Sequence, residues 1–102
     1  MTSTANHFEL TARIEALKAL RYTPAGLPAL DLELQHESEV LEAGAKRQVQ
    51  LMVRAVALGS LAESLARQEV GSSWRFTGFM AASRSKPQLS RQSVFHIQSF
   101  QA

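Results

Sequence analysis

Apolar and polar residues alternate along most of this chain, with a period of two rather than 3.6. Over His7–Glu15, Phe8, Leu10, Ala12 and Ile14 fall on one side and Glu9, Thr11, Arg13 and Glu15 on the other, the pattern of a half-buried strand. A helix competes here, because Leu10, Ile14, Leu17 and Arg21 also share a helical stripe and EALKAL over 15–20 is rich in helix formers. Pro24 and Gly26 end the element in a turn. Pro28–His36 alternates more cleanly, with Leu30, Leu32 and Leu34 opposed to Asp31, Glu33 and Gln35. Glu37–Gly44 is acidic and is expected to loop, with Gly44 as its turn residue. Over Lys46–Leu58, Val49, Leu51, Val53 and Ala55 can line one face of a strand, and again a helix competes. Gly59 breaks that run, and Ser60 with Glu63 fits a capping box, which predicts a short helix over Ser60–Gln68, ended by Gly71. Trp74, Phe76, Gly78 and Met80 then alternate with Arg75, Thr77, Phe79 and Ala81. A glycine inside such a run marks a bulge or bend. A basic loop over Ser83–Gln92 leads to a last strand in which Phe95 and Ile97 oppose Val94, His96 and Gln98. Three strands, a short helix and two strands make an all-β chain with one short helix. That is the order of an OB-fold, a five-stranded, partly open Greek-key barrel.

With 102 residues the chain makes one domain, expected to span residues 6–100 after a disordered end over 1–5. There is no cysteine, so thiolate metal sites and disulfides are excluded. His7, His36 and His96 are too scattered for ligand spacing, and no metal or other cofactor is expected. No apolar run approaches the ~20 residues of a membrane span, and the first residues lack the charged start and apolar core of a signal peptide. A soluble cytoplasmic protein without membrane contact is the expectation. Glycine-rich phosphate loops and cysteine nucleophiles are missing, and the acidic Glu37, Glu39 and Glu42 have no evident catalytic partner. The chain does not look like an enzyme.

Charge changes the picture more than composition does. Residues 1–69 hold 7 basic and 9 acidic side chains, a balance of −2, whereas residues 70–102 hold 4 basic and no acidic ones, a balance of +4. Such asymmetry fits a polyanion-binding face on the C-terminal third, and it equally fits a solvated loop that has collected arginines. In an OB-fold the loop between the fourth and fifth barrel strands contacts oligonucleotides, and here that loop holds Arg84, Lys86 and Arg91.

NHFEL over 6–10, PAGLP over 24–28, LELQH over 32–36, EAGAKRQ over 42–48, VGS over 70–72, GF over 78–79 and LS over 89–90 resemble, in this order and spacing, bacterial primosomal replication protein N, the PriB family. The resemblance runs from about Asn6 to Gln98 and favours strand at both places where a helix competes. It implies an OB-fold homodimer, similar to single-stranded DNA-binding protein. Such a dimer binds single-stranded DNA and the primosomal helicase in replication restart and carries no activity of its own. Matching position by position, it implies DNA contacts at Arg21, at Lys46 and Arg47, and at Arg84, Lys86 and Arg91. Three positions depart from the family pattern. A basic residue is replaced by Glu37, and two aromatics, one a stacking platform, are replaced by Ala45 and Gln50. Stacking on an aromatic is worth ~1–3 kcal/mol per base, so the expectation is weaker binding that rests more on charge. An alternative is a primosomal interaction adaptor that binds DNA only weakly. A third reading is an RNA-binding OB module, because a basic groove does not by itself tell RNA from DNA. Trp74 is expected to pack in the core or an interface, while Phe79, Tyr22, Arg54 and Arg75 are open cases.

Overall fold

The leucines of the second long strand decide where the interior lies. Leu30, Leu32 and Leu34 are almost completely buried, while Asp31, Glu33 and Gln35 between them are half-buried on the opposite face. A computed structural model describes residues 4–84 and 89–102, with backbone alone over 83–84 and 89–91. Its elements are β1 (Phe8–Leu17), β2 (Arg21–Tyr22), β3 (Pro28–Glu42), β4 (Ala45–Leu58), α1 (Ser60–Ala66), β5 (Ser73–Arg84) and β6 (Leu89–Gln101). Both ambiguous segments are strands. Their apolar faces are completed by neighbouring strands, and this pairing overrides local helix propensity.

The sheet runs β1-β5-β6-β4-β3-β2, and β1 also pairs with β3, which closes a five-stranded barrel with β2 as a two-residue addition at Ala29 and Pro28. All pairings are antiparallel except β4 with β6, where Ala55 meets Phe95 and Val56 meets His96. This is the OB-fold that the element order predicts. Closure depends on β1 serving two partners. Phe8–Arg13 pairs with β5, and Arg13–Leu17 pairs with β3. The register jumps between Ile14 and Ala16, and such a bulge bends a strand and increases its twist. Inside, Ile14, Leu30, Leu32, Leu34, Phe76, Phe95 and Ile97 interlock, and Ala62 and Leu65 of α1 join the same core. Trp74 packs at its rim, edge-on to Phe100 with ring centroids 5.1 Å apart, its Nε1 donating to Ser72 Oγ at 2.9 Å. It is a packing residue, as expected.

Three local expectations need correction. Glu37–Glu42 is not a loop: β3 continues to Glu42 and stays in register with β4 out to the Glu42–Ala45 pair. Ala43 and Gly44 form a two-residue turn with φ of 53° and 81°, the positive values that a tight hairpin turn requires. Ser60 is not a cap, because Gly59 occupies the N-cap with no side-chain cap bond, and the helix ends at Ala66. The basic loop is shorter than Ser83–Gln92, because β5 reaches Arg84 and β6 starts at Leu89, with those two residues paired. Asn6 is tied to β5. Its Oδ1 accepts from the Met80 N–H at 3.0 Å, and its Nδ2 donates to the Met80 carbonyl at 2.9 Å. Gly78 does mark a bulge, as its place in the strand pattern predicts. The register jumps between Thr77 and Gly78, and the facing backbone comes so close that a Cβ at Gly78 would lie 1.8 Å from the His96 carbonyl oxygen.

Candidate nucleic-acid interface

Alternation that sends the leucines inward sends Asp31 and Glu33 of β3 outward, opposite Val56 and Arg54 of β4. Val94 and His96 of β6 and Ala81 of β5 extend this outer face. The connection from β1 to β3 rises beside it with Lys18, Arg21 and Thr23. Together these residues enclose an open cleft of about 650 Å³. A second cleft of about 400 Å³ continues from it, sharing Val56, Leu58 and His96 and reaching Ser60 and Leu61 of the helix. The site is therefore an outer groove of the barrel with an apolar floor at Val56 and Val94.

Its charge is mixed. Lys18, Arg21 and Arg54 line the larger cleft together with Asp31 and Glu33. Arg21 is held by Asp31 through two hydrogen bonds, Nε to Oδ2 at 2.7 Å and Nη2 to Oδ1 at 3.1 Å. Those side-chain hydrogen bonds raise the Arg21 pKa above its ordinary value, with burial pulling the other way and the charge of Asp31 adding to the rise. Arg54 donates to the Gln92 side-chain oxygen across the β4–β6 boundary. An anion entering this groove meets cations, but it must compete with internal acceptors for them.

The expected contact residues do not gather at one place. Arg21 is in the groove. Lys46 and Arg47 stand at the far end of the β3–β4 ribbon, opposite Leu41 and Val40. Lys46 is eight positions along β4 from Arg54, a rise of about 27 Å at strand geometry. Arg47 Nη1 is 2.6 Å from Glu42 Oε1, in an exposed pair. For Arg84 and Arg91 the side chains lie outside the described residues, and Lys86 lies outside them altogether. Two of the departures are one feature, since Glu37 and Gln50 are cross-strand partners on the ribbon, while Ala45 follows its turn. Among the open cases, Arg54 reaches the groove, whereas Arg75 faces Glu9 at 3.7 Å on the β1–β5 surface. Tyr22 is exposed beside Arg21. Phe79 stacks on His96, with centroids 4.8 Å apart and planes 13° from parallel.

Lys18 and His96 are groove residues that the sequence pattern does not single out as contacts. Lys18 sits in the helix-like EALKAL segment, where no charge pattern sets it apart. Only the β5–β6 register puts His96 beside Phe79.

A family model described as another single-strand binding protein family matches residues 6–99. The replication restart protein PriB of Bordetella pertussis is 53% identical over 79 residues, 78% of this chain and 74% of that protein. The chain belongs to the PriB family. The three-dimensional structure of PriB from Ralstonia solanacearum superposes with a TM-score of 0.85 at 31% identity, covering 96% of this chain and 97% of that one. The wild-type single-stranded DNA binding protein of Thermus aquaticus gives a TM-score of 0.75 at 25% identity, covering 94% of this chain and 48% of that one. This PriB-family chain thus shares the barrel of single-strand binding proteins. Among the described residues, no helix is long and apolar enough to cross a membrane.

Proposed function

We propose that this chain binds single-stranded DNA in the outer groove of its barrel and along the β3–β4 ribbon, and so serves replication restart in the cytoplasm without a catalytic step of its own. The observation that carries the reading is the groove itself. It is an open cleft with an apolar floor and Lys18, Arg21 and Arg54 along its walls, on a chain of the single-strand binding family. An apolar floor suits bases, and cationic walls suit phosphates. Arg21, Lys46, Arg47, Arg84, Lys86 and Arg91 are the proposed contacts. Titration of labelled single-stranded, double-stranded and RNA oligonucleotides, followed by anisotropy, tests the assignment. The expected result is preference for single-stranded DNA; tighter RNA binding would redirect the reading to RNA.

The active unit is a homodimer in this proposal. One edge of β1 over Phe8–Ala12 pairs with no strand among the described residues, and unpaired edges favour cover by another chain. Sedimentation at micromolar concentration is expected to give twice the mass of one chain, and a monomer would remove this part. The partner beyond DNA is the primosomal helicase. An adaptor reading, with DNA secondary, gains support from Asp31 and Glu33 in the groove and from the internal pairing of Arg21 and Arg47. Helicase capture with and without nuclease separates the two: capture that survives nuclease, by a chain with negligible affinity for DNA, favours the adaptor.

A further inference from the structure

The two departures at Ala45 and Gln50 leave the ribbon without a phenylalanine, tyrosine or tryptophan on which a base can stack, yet the barrel wall carries a phenylalanine elsewhere. Phe79 and His96 are cross-strand partners on the outer face. Their rings lie 4.8 Å apart and within 13° of parallel, inside the range of stacked aromatic pairs. Three local features build this unit. At Gly78 the missing Cβ lets the His96 carbonyl approach to where that atom would be, 1.8 Å away. The register jump just before Gly78 aligns Phe79 with His96. On the other side, Asn6 clamps both backbone groups of Met80. Phe79 thus lies between two backbone positions, Gly78 and Met80, that are each tied to a neighbour.

The stack also stands where a nucleotide would need it. His96 lines both clefts, and Phe79 lines the second. Val56 faces His96 across the β4–β6 boundary, and Arg54 follows Val56 on the same face, about 7 Å along the strand. Cation, apolar floor and ring follow one another in the order of a phosphate, a sugar and a base. Burial lowers the His96 pKa below its ordinary 6.5, which disfavours the imidazolium and favours the neutral ring. Asp31 and Glu33 lie beside Val56 and Arg54 as their cross-strand partners, so a phosphate at Arg54 meets a neighbouring carboxylate and the site must draw on the ring stack as well as on charge.

We propose that the Phe79–His96 stack is the nucleobase platform of this groove, taking a base of single-stranded DNA against its open ring face. The assignment rests on the single-strand reading above and supplies the stacking that Ala45 and Gln50 do not.

Photo-crosslinking of the full chain to an oligothymidylate carrying 5-iodouracil, with peptide mapping, is expected to place the adduct on Phe79 or His96. In parallel, Phe79→Leu and His96→Leu are expected to weaken binding of oligothymidylate about fivefold or more. They should leave the salt slope unchanged and leave binding of an abasic oligonucleotide of equal length at the wild-type level. A merely structural role would weaken both ligands alike. If a variant fails to fold, the wild-type crosslink still decides. Wild-type binding with adducts elsewhere, or with unchanged affinity in folded variants, overturns the platform alone. Wild type that binds no oligonucleotide at low salt overturns the single-strand reading and the platform with it.

Discussion

Replacing Asp31 by Asn keeps the shape of the groove and removes the charge that holds Arg21. In the folded protein Arg21 gives both Nε and Nη2 to that carboxylate, at 2.7 and 3.1 Å. The pair is accessible, with side-chain exposures of 51% and 35%, so its contribution to folding is about 0–1 kcal/mol and the variant should fold. Its effect on DNA is of similar size and opposite sign. A phosphate reaching Arg21 from the groove stands about 7 Å from the carboxylate, with the guanidinium between two charge-assisted hydrogen bonds. Repulsion at that distance is about 0.6 kcal/mol in bulk water and about 2.4 at an effective dielectric of 20. Exposure and salt keep the value near the lower end, about 0.5–1 kcal/mol, or two- to fivefold in affinity. Anisotropy titration of labelled oligothymidylate against wild type and Asp31→Asn should therefore show tighter binding by the variant at low salt. The slope of log K against log salt should steepen by up to about 0.7, the value for one added phosphate contact on a single strand, and the two affinities should converge as salt rises. Binding equal to wild type would mean that Arg21 is outside the grip. Weaker binding would mean that Asp31 aims Arg21 at the phosphate rather than withholding it.

Other consequences are local. Ala43 has φ of 53° in a two-residue turn, where a Cβ is costly and Asn-Gly is favoured; Ala43→Asn should stabilise the chain by about 0.5–1 kcal/mol in urea unfolding, and no gain would mean the turn relaxes freely. Gly78→Ala drives a Cβ to within 1.8 Å of a backbone oxygen and should cost about 3 kcal/mol or more; a loss below about 1 kcal/mol would contradict the fixed bulge. His96 has a lowered folded pKa through burial, so the unfolded chain binds its proton more readily. The stability this provides is complete above the ordinary pKa of about 6.5 and is lost as pH falls from there through the lowered folded value. His96→Gln should flatten that part of the pH–stability curve, and an unchanged slope would contradict the assignment.

The barrel was legible because closure needs few signals. Leu30, Leu32 and Leu34 mark one inward face, Phe95 and Ile97 another, and Gly78 marks the bulge between them. The ribbon was hidden for a physical reason. Glu37–Glu42 is largely exposed, so its residues show no inward–outward alternation and read as an acidic loop. The helix start misled by one position. Gly59, with φ of 77°, takes the N-cap, which puts Ser60 inside the first turn, where its hydroxyl cannot satisfy the orphan N–H groups ahead of it. The groove could be read only in part. Arg21 stood out through the family resemblance, but Lys18, Arg54 and His96 are brought together by pairings that span much of the chain. Nothing in the local pattern announces that Asp31 and Glu42 already hold two of the expected phosphate contacts.

On this account the single strand is held by a cationic grip. It is tested most directly by titrating oligothymidylate across a range of salt concentrations with wild type and with the combined Arg84→Ala, Lys86→Ala and Arg91→Ala variant. Six phosphate contacts at about 0.7 each predict a wild-type slope of about −4, and the variant, with three contacts left, should bind more weakly with a slope of about −2. A wild type that does not bind at low salt, or a variant with the same slope and affinity, would contradict it.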